Sequence, residues 1–237
     1  MKVGIVNTGN IGLRLAFAWI RLGHEVMLSK DTHPERLRER VREFGLERGI
    51  GEDEISRFKY GSITGAAKFG EVVVLSAYFP RLAHILEELQ SDGITLSGKI
   101  VIDTMNPLNV DDTFNHYHDF KYMRRTSITE EVQRAFPEAV LFKAFNSMPA
   151  TLLEAQKWTS GRVPPIIFVG GNTSSIDTVR KLIEGAGFKP RFAGYDLKHS
   201  GLLERLGILL HLLVENEYEG NGDVVFDVIQ RGPDGLL

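Results

Sequence analysis

The chain has 237 residues, enough for one large domain or two small ones with a sizeable core. Its 28 Lys and Arg residues nearly balance 31 Asp and Glu residues, and the net charge of −3 offers no basic field for nucleic acid or an anionic membrane. It contains no cysteine, which excludes a disulfide framework, a thiolate nucleophile and a cysteine-ligated zinc site.

The first residues do not have the pattern of a secretion signal, because a short apolar run breaks at Asn7. The longest apolar stretch, residues 206–214, is too short to span a bilayer. We therefore expect a cytoplasmic protein without a membrane segment.

Short runs rich in Val and Ile alternate with longer stretches at helical period. Ser127 with Glu130, and Thr32 with Glu35, have capping-box spacing and mark two helix starts. The predicted strands cover residues 2–6, 25–29, 57–64, 71–79, 99–105, 139–145, 165–171 and 189–194. The predicted helices cover residues 11–23, 32–45, 81–90, 127–136, 174–187 and 200–218, with a short helix after Pro149. Residues 106–126 follow neither pattern.

This alternation predicts an α/β protein with a Rossmann-type, doubly wound parallel sheet. We assign residues 1–148 to a dinucleotide-binding domain and residues 149–237 to a small C-terminal α/β lobe packed on it. The last helix is apolar nearly all round between residues 202 and 214, so we expect it in the core or in a dimer interface. His211 within it is expected to be an ordinary core histidine.

Residues 7–12, Asn-Thr-Gly-Asn-Ile-Gly, lie between the first strand and the first helix, where a dinucleotide-binding fingerprint belongs. Asn7, Gly9 and Gly12 take the positions of its three glycines, and Asn is the residue other than glycine that best tolerates unusual turn dihedrals. Free N–H groups at the helix start would face a pyrophosphate. The alternative is a tight strand-to-helix turn without a ligand.

The end of the second strand indicates which dinucleotide would bind. An acid there would favour NAD, but Lys30 occupies the position, with Ser29 before it and Asp31 after it. A Lys beside a hydroxyl suits a 2′-phosphate. We therefore favour NADP, and NAD stays possible because Asp31 is one residue away.

The carboxyl ends of parallel strands meet at one crevice, which places Ala77, Tyr78, Asn106, Phe145 and Asn146 near one another. Hydride transfer between two flat rings at such a crevice needs stacking and exclusion of water rather than an acid or a base. We name no catalytic residue.

Residues 116–120, His-Tyr-His-Asp-Phe, concentrate titratable and aromatic groups beside this crevice. His116 and His118 could bind a metal or donate a proton, but we expect ordinary surface histidines and no metal site. Tyr117 or Phe120 is the better candidate, as a lid over a flat substrate.

The segments GHEVMLSK, VVVLSAYFP, VIDTMNPL, VLFKAFNSMPA, PIIFVGGNTSS and GLLERLGILL occur in this order along the chain. In sequence and spacing they resemble the deazaflavin-dependent NADP oxidoreductases, which use coenzyme F420. The cytosolic domain of the six-transmembrane epithelial antigen metalloreductases is similar too. The resemblance implies an N-terminal Rossmann domain, a small C-terminal lobe and, often, a dimer.

The resemblance also implies roles for single residues. Ser29 and Lys30 correspond to the 2′-phosphate site, where the family usually has Ser and Arg. Tyr78 stands where the family commonly has Pro. The pyrophosphate loop would be Thr8, Gly9, Asn10 and Ile11; the segment along the nicotinamide ribose would be Ala77 and Tyr78; and the wall of the hydride-transfer pocket would be Asn106, Pro107 and Asn146.

We therefore expect an NADP-dependent oxidoreductase that transfers hydride between NADP(H) and a flavin-like or deazaflavin acceptor. Two alternatives stay open: an NAD(P)-dependent reductase of a small metabolite, and a non-catalytic NADP-binding redox sensor. The expected partners are small molecules, without nucleic acid or membrane, and a second copy of the chain in a possible homodimer.

Overall fold

The structure is a computed structural model that describes residues 1–31, 33–110, 116–153 and 162–229. Ten strands are described: β1 Lys2–Val6, β2 Glu25–Ser29, β3 Lys59–Gly61, β4 Val72–Leu75, β5 Ile100–Asp103, β6 Leu108–Val110, β7 His116–His118, β8 Val140–Lys143, β9 Pro165–Gly170 and β10 Lys189–Phe192. The α-helices are α1 Asn10–Arg21, α2 Leu37–Leu46, α3 Glu52–Ile55, α4 Ile63–Phe69, α5 Leu82–Ser91, α6 Phe120–Met123, α7 Ile128–Ala135, α8 Ile176–Gly185 and α9 Ser200–Asn216.

Eight of the strands form one sheet in the order β10-β9-β8-β5-β4-β1-β2-β3. All neighbours in this sheet are parallel except β8 and β9, which pair antiparallel. The chain leaves β1 toward β2 on one side and returns to β4 on the other, so the strand order reverses at β1. Crevices at the carboxyl ends of strands open at such a reversal. The predicted Rossmann-type α/β fold is confirmed.

Strands β9 and β10 belong to the segment predicted as a separate C-terminal lobe. They extend the sheet of the first 148 residues through the pairing of Phe142 with Gly170 and of Lys143 with Val169. The predicted boundary at residue 148 falls in the connection between β8 and β9, and the division into two domains stays a prediction.

Two buried apolar layers cover the two faces of the sheet. One layer joins residues of β1 and β2 to α1, α2 and α8, and the other joins β4 and β5 to α4, α5, α7 and α9. Trp19 of α1 is fully buried, and its indole N–H donates to the Leu182 carbonyl oxygen of α8 at 2.9 Å. Because both faces are covered, the central strands are continuous apolar runs.

Sequence and structure differ in several elements. The short helix α3 was not predicted, and the strand predicted over residues 57–64 spans Lys59–Gly61. Helix α4 was not predicted; the Ser62 hydroxyl begins it by accepting from Gly65 N. The segment 106–126, predicted to be irregular, forms the antiparallel ribbon β6–β7 and the short helix α6. The predicted capping box of Ser127 and Glu130 is confirmed, whereas Thr32 lies outside the described residues.

Glycine at position 4 is required by the closeness of α4 to β1. A Cβ atom on Gly4 would lie 1.9 Å from the Ala66 carbonyl oxygen of α4. We predict that Gly4→Ala lowers the free energy of unfolding by about 1–3 kcal/mol, because backbone must shift to make room. Urea unfolding measures this. Gly51→Ala is the control, since a Cβ there meets nothing within 4 Å; equal losses in both variants would contradict the assignment.

Candidate functional site

The loop between β1 and α1 is held from below by Ser29 at the end of β2. Asn7 has a left-handed backbone, with φ of 56°, so it does adopt the glycine-like conformation expected of it. Its N–H donates to the Ser29 hydroxyl at 3.2 Å, and that hydroxyl donates to the Ile5 carbonyl oxygen at 2.8 Å. Thr8 N donates to the Ser29 carbonyl oxygen at 2.7 Å. Ser29 is fully buried and supports the loop; a direct contact with a cofactor stays a prediction.

The start of α1 is held against the end of β4 by Ser76. Gly9 N donates to the Ser76 carbonyl oxygen, and Gly12 N donates to the Ser76 hydroxyl, both at 2.8 Å. A Cβ atom on Gly9 would lie 2.8 Å from that carbonyl oxygen, and one on Gly12 would lie 2.8 Å from the Ser76 side chain. Only glycine fits at either position.

This arrangement turns the first helical N–H groups, those of Asn10 and Ile11, toward the crevice. The first N–H groups of a helix have no acceptor within it, and the helix dipole makes this end positive. The residues of the loop itself, Thr8, Gly9, Asn10 and Ile11, are uncharged. The loop therefore fits a phosphate group that approaches the backbone closely.

A group of cations surrounds the end of β2. Lys30 is half-buried, and burial lowers the pKa of its ammonium group, as do the nearby charges of Arg40 and Arg81, whereas Asp31 opposes the shift. Arg40 donates to the Asn10 side-chain oxygen at 2.7 Å. This bond joins α2 to residues 7–12, called the phosphate loop below. A bound anion would relieve the repulsion among these three cations.

Asp31 is paired with one member of this group, Arg81. Its carboxylate is almost completely buried and accepts from Arg81 Nε at 2.5 Å. Arg81 lies in the turn that follows β4, between Phe79 and Leu82. Asp31, the acid that would favour NAD, is therefore already paired with Arg81.

A cavity of about 240 Å³ extends from the phosphate loop along the ends of β4 and β5. None of the residues that line it is charged. Six predicted site residues line it: Gly9, Asn10, Ile11, Ala77, Tyr78 and Asn106. Tyr78 is half-exposed at its mouth.

Asn106 and Asn146 hold the far end of this cavity. Asn106 Nδ2 donates to the Asn146 carbonyl oxygen at 2.7 Å, and Asn146 Nδ2 donates back to Asn106 Oδ1 at 2.9 Å. Asn146 Nδ2 also donates to the Leu203 carbonyl oxygen of α9 at 2.8 Å. A Cβ on Gly207 of α9 would lie 2.9 Å from both Asn106 Nδ2 and the Asn146 carbonyl oxygen. The pair therefore fixes where α9 crosses the sheet edge.

A second cavity, of about 190 Å³, meets the first at Asn106 and Leu108. It lies between β7, the loop after β8 and α9, and its lining includes Asn146, His118 and His211. His118 Nε2 lies 3.1 Å from His211 Nδ1. The two cavities are neighbours near the carboxyl ends of the strands and share Asn106 and Leu108 in their walls.

The segment with the predicted lid residues borders this second cavity. Tyr117 and Phe120 are each about half-exposed, and the Phe120 ring contacts the His118 ring edge to face at 6.1 Å. The side chain of His116 lies outside what the structure describes. In the described part of the chain, no three His, Asp or Glu side chains converge as metal ligands.

Beneath the crevice lies a fully buried ion cluster of Lys143, Asp103 and Glu204. Lys143 Nζ donates to Asp103 Oδ2 at 2.9 Å, to Glu204 Oε1 at 3.0 Å and to the Met105 carbonyl oxygen. Thr129 donates to Asp103 Oδ2 at 2.7 Å, and Ile128 N donates to Glu204 Oε1 at 2.9 Å. The cluster joins β5, β8, α7 and α9 just below Asn106.

The cluster contains two carboxyl groups and one ammonium group, so its possible negative charges outnumber its positive charge. Burial raises the pKa of Glu204 by more than Lys143 lowers it. Because folding raises this pKa, protonated Glu204 favours the fold, and that stabilisation is lost as pH rises through the raised pKa. Burial by itself would lower the pKa of Lys143, but the charges of Asp103 and Glu204 raise it. Lys143 therefore keeps its charge, and its stabilising contribution is lost only at alkaline pH.

Sequence reasoning missed several of these residues. Lys143 could have been noticed, because it is the one charged residue in the otherwise apolar segment 139–145. Arg40, Arg81 and Glu204 carried none, since each has the ordinary spacing of a surface residue on a helix or turn. His211, expected as a core histidine, is instead paired with His118 beside a cavity.

Residues 2–107 match the model of a family described as NADP oxidoreductase, coenzyme F420-dependent. The predicted resemblance to the coenzyme F420-dependent NADP oxidoreductases is confirmed for these residues, and the similarity to the six-transmembrane epithelial antigen metalloreductases stays a prediction. The predicted enzyme class, an NAD(P)-dependent oxidoreductase, is confirmed at the level of this family. The match spans β1 to β5 and includes the phosphate loop, the cation group at the end of β2 and Asn106. A comparison with curated proteins gives no match.

Solved structures similar to this chain extend the comparison to its C-terminal part. A candidate F420-dependent NADP reductase from Arthrobacter sp. FB24 has 23% identity and a TM-score of 0.79, covering 97% of this chain and all of its own. A hypothetical protein from Sinorhizobium meliloti has 23% identity and a TM-score of 0.64, covering 84% of this chain and 87% of its own. At these identities the likeness concerns the fold.

An imine reductase from Streptomyces aurantiacus shares the fold more distantly. It has 15% identity and a TM-score of 0.56, with 92% of this chain and 64% of that enzyme covered. This chain therefore lacks a counterpart to about a third of the imine reductase.

Within the described residues, no helix has the length and apolar character needed to cross a bilayer.

The buried ion cluster generates a stability prediction. Lys143→Met leaves Asp103 and Glu204 buried without a countercharge, which we expect to cost about 3–5 kcal/mol of unfolding free energy. The triple variant Lys143→Met, Asp103→Asn, Glu204→Gln should regain part of this loss, because no unpaired charge remains. Urea unfolding measures both.

Lys181→Met on the exposed face of α8 is the control for these variants. We expect it to change the unfolding free energy by less than about 0.5 kcal/mol. A Lys143→Met protein as stable as the Lys181→Met protein would contradict the role given to the cluster.

Proposed function

We propose that this protein transfers hydride between NADP(H) and a flavin-like or deazaflavin acceptor. The observation that carries the proposal is a pair of neighbouring cavities: the first begins at the loop of residues 7–12, and the second lies beyond Asn106. One flat ring can bind in each cavity, and the two cavities meet at Asn106 and Leu108. The family description, which names NADP and coenzyme F420, supports this pairing.

The residues present fit a dinucleotide bound in the first cavity. The pyrophosphate would bind at the N–H groups of Asn10 and Ile11, which line the cavity together with Gly9. The nicotinamide would then lie along Ala77 toward Asn106, at the ends of β4 and β5. Bound NADPH supplies the hydride.

The chain's own residues position the two rings and exclude water. Asn106 and Asn146, hydrogen-bonded to each other and held from below by the ion cluster, form a rigid floor between the cavities. Positioning of this kind can supply much of the rate of a hydride transfer, because the rings need only be held at reacting distance. Tyr78 at the mouth is placed to limit access of solvent.

The preference for NADP over NAD follows from the end of β2. Lys30, Arg40 and Arg81 would surround a 2′-phosphate, and Asp31 is already paired with Arg81. Glu39 and Glu43 of α2 line the same small cavity as Lys30 and Arg40, but the acid at the position that would favour NAD, Asp31, is already paired. The cluster therefore favours the phosphorylated cofactor.

Removal of one cation tests this preference. We predict that Lys30→Gln weakens binding of NADPH about 10- to 100-fold, the loss of one charge-assisted hydrogen bond to phosphate, while binding of NADH changes little. Isothermal titration calorimetry with both cofactors measures this. The control is Lys68→Gln on the exposed side of α4. An equal loss for NADH would contradict recognition of the 2′-phosphate.

Turnover tests the proposed reaction itself. With NADPH and a 5-deazaflavin or flavin in excess, we predict loss of the nicotinamide absorbance band together with equimolar reduction of the acceptor. Gly9→Val should abolish both, since its side chain would collide with the Ser76 carbonyl oxygen and displace the start of α1. Reduction of a cyclic imine but of no flavin would favour the small-metabolite reductase. Binding of NADPH without any turnover would favour the redox sensor.

The predicted homodimer and cytoplasmic location stay predictions. Helix α9 does expose Leu202, Leu209 and Leu212, each by at least two-fifths, on the side away from the ion cluster. A second copy would cover such a face.

A further inference from the structure

Helix α9 carries a stripe of leucines on its exposed face. Leu202, Leu209 and Leu212 are exposed by 59%, 50% and 41%. Together with the exposed Arg205 they follow one another along the helix at steps of three, four and three residues. This alternation keeps the side chains on one line and is typical of a helix that packs lengthwise against another helix.

The stripe borders a groove of about 400 Å³ between α9 and α6. The apolar part of its wall consists of Phe120 and Met123 of α6 and Ile208, Leu209 and Leu212 of α9. Met123 and Ile208 are buried, whereas the Phe120 ring is half-exposed. The groove and the stripe share two leucines, so they form one apolar surface. Exposed apolar surfaces with charged residues at their edge mark protein–protein interaction sites.

The two ends of this surface carry opposite charges. Arg124 and Arg205 line the groove near the start of α9, and Arg205 Nη2 donates to the Met123 carbonyl oxygen of α6 at 2.7 Å. This bond places the end of α6, and with it Arg124, beside the first turns of α9. At the other end of the helix, Glu215 and Glu217 are exposed. The surface is therefore basic at one end, apolar in its middle and acidic at the other end.

We propose that this surface binds a second copy of the chain, with the two α9 helices antiparallel about a two-fold axis near Leu209. A two-fold interface brings the same surface of both copies together, so every contact occurs twice. Antiparallel packing places the basic end of each surface against the acidic end of the other, and the leucine stripes cover each other. Parallel packing would instead place like charges together, which is unfavourable.

The arrangement of charges favours a second copy over a partner of another kind. The surface is self-complementary, because it supplies both signs of charge at equal distances from an apolar centre. Helix α9 has 17 residues and is about 25 Å long, which gives the pair several turns of contact. The second copy would also lie beside the second cavity, because Phe120 of the groove packs against His118 in the wall of that cavity.

Sedimentation velocity of the full chain over a range of micromolar concentrations measures the assembly, and we expect wild type to be a dimer. Leu209→Glu should raise the Kd of the dimer about 100-fold or more, because two carboxylates would face each other at the apolar centre. Its helical content by circular dichroism should match wild type, since the replaced side chain is half-exposed. Leu46→Glu, at an exposed leucine of α2, is the matched control and should leave the dimer unchanged.

An exchange of charges tests the antiparallel arrangement. Arg124→Glu and Glu215→Arg should each weaken the dimer about tenfold, because each change turns two attractive contacts into repulsive ones. The double variant should return the Kd to within about threefold of wild type. Such a rescue cannot come from within one chain, because Arg205, beside Arg124, and Glu215 are about 15 Å apart along α9. Nor can it come from the 3.2 Å contact of Glu215 with His211, which the double variant also lacks.

A wild-type chain that stays monomeric over the whole range would overturn the proposal. A dimer that Leu209→Glu leaves intact would do the same, because another face would then make the contact. If Leu209→Glu gives monomers but the double charge variant does not regain the dimer, the antiparallel arrangement is overturned. Because sedimentation needs neither cofactor nor acceptor, these results do not depend on the proposed function.

Discussion

The site depends on the contact of the start of α1 with the end of β4. Ser76 accepts from Gly9 N through its carbonyl oxygen and from Gly12 N through its hydroxyl, and the two glycines leave no space between helix and strand. This contact aims the positive end of α1 across the carboxyl ends of the strands. It also sets where the first cavity begins. An anion can bind there through backbone alone, because the sequence keeps side chains out of the way.

The far end of the crevice depends on a different interaction. Lys143, Asp103 and Glu204 hold α7 and α9 against β5 and β8, and the same ammonium group binds the Met105 carbonyl next to Asn106. Buried ion clusters of this kind add little net stability, since desolvation offsets most of the attraction. Their main effect is on position. An arrangement of α9 that moved Glu204 away from Lys143 would leave a buried charge without a partner, and it is therefore strongly disfavoured. The second cavity, with His211 of α9 in its wall, is placed by this cluster.

Much of the fold could be predicted, because its signals are local. The apolar runs of β4 and β5, the capping box of Ser127 and the glycines of residues 7–12 each report on their own stretch of chain. Helix α4 was missed because its seven residues are too few for a clear period. The ribbon β6–β7 was missed because three-residue strands cannot show alternation. Of the site, the loop and Lys30 could be found from position in the fold, but Arg40, Arg81 and Glu204 could not.

The sequence alone determined that a parallel α/β sheet carries a phosphate loop, since periodicity and the tolerance of Asn7 for a left-handed backbone are properties of short segments. Only the tertiary structure decided which charges meet. It paired Asp31 with Arg81, which are 50 positions apart along the chain, and Lys143 with Glu204, which are 61 apart. It also brought His118 to His211, which are 93 positions apart. The physical reason is that an ion pair or hydrogen bond acts over a few ångströms, and the pattern of one segment carries no record of which distant segment folding places at that distance.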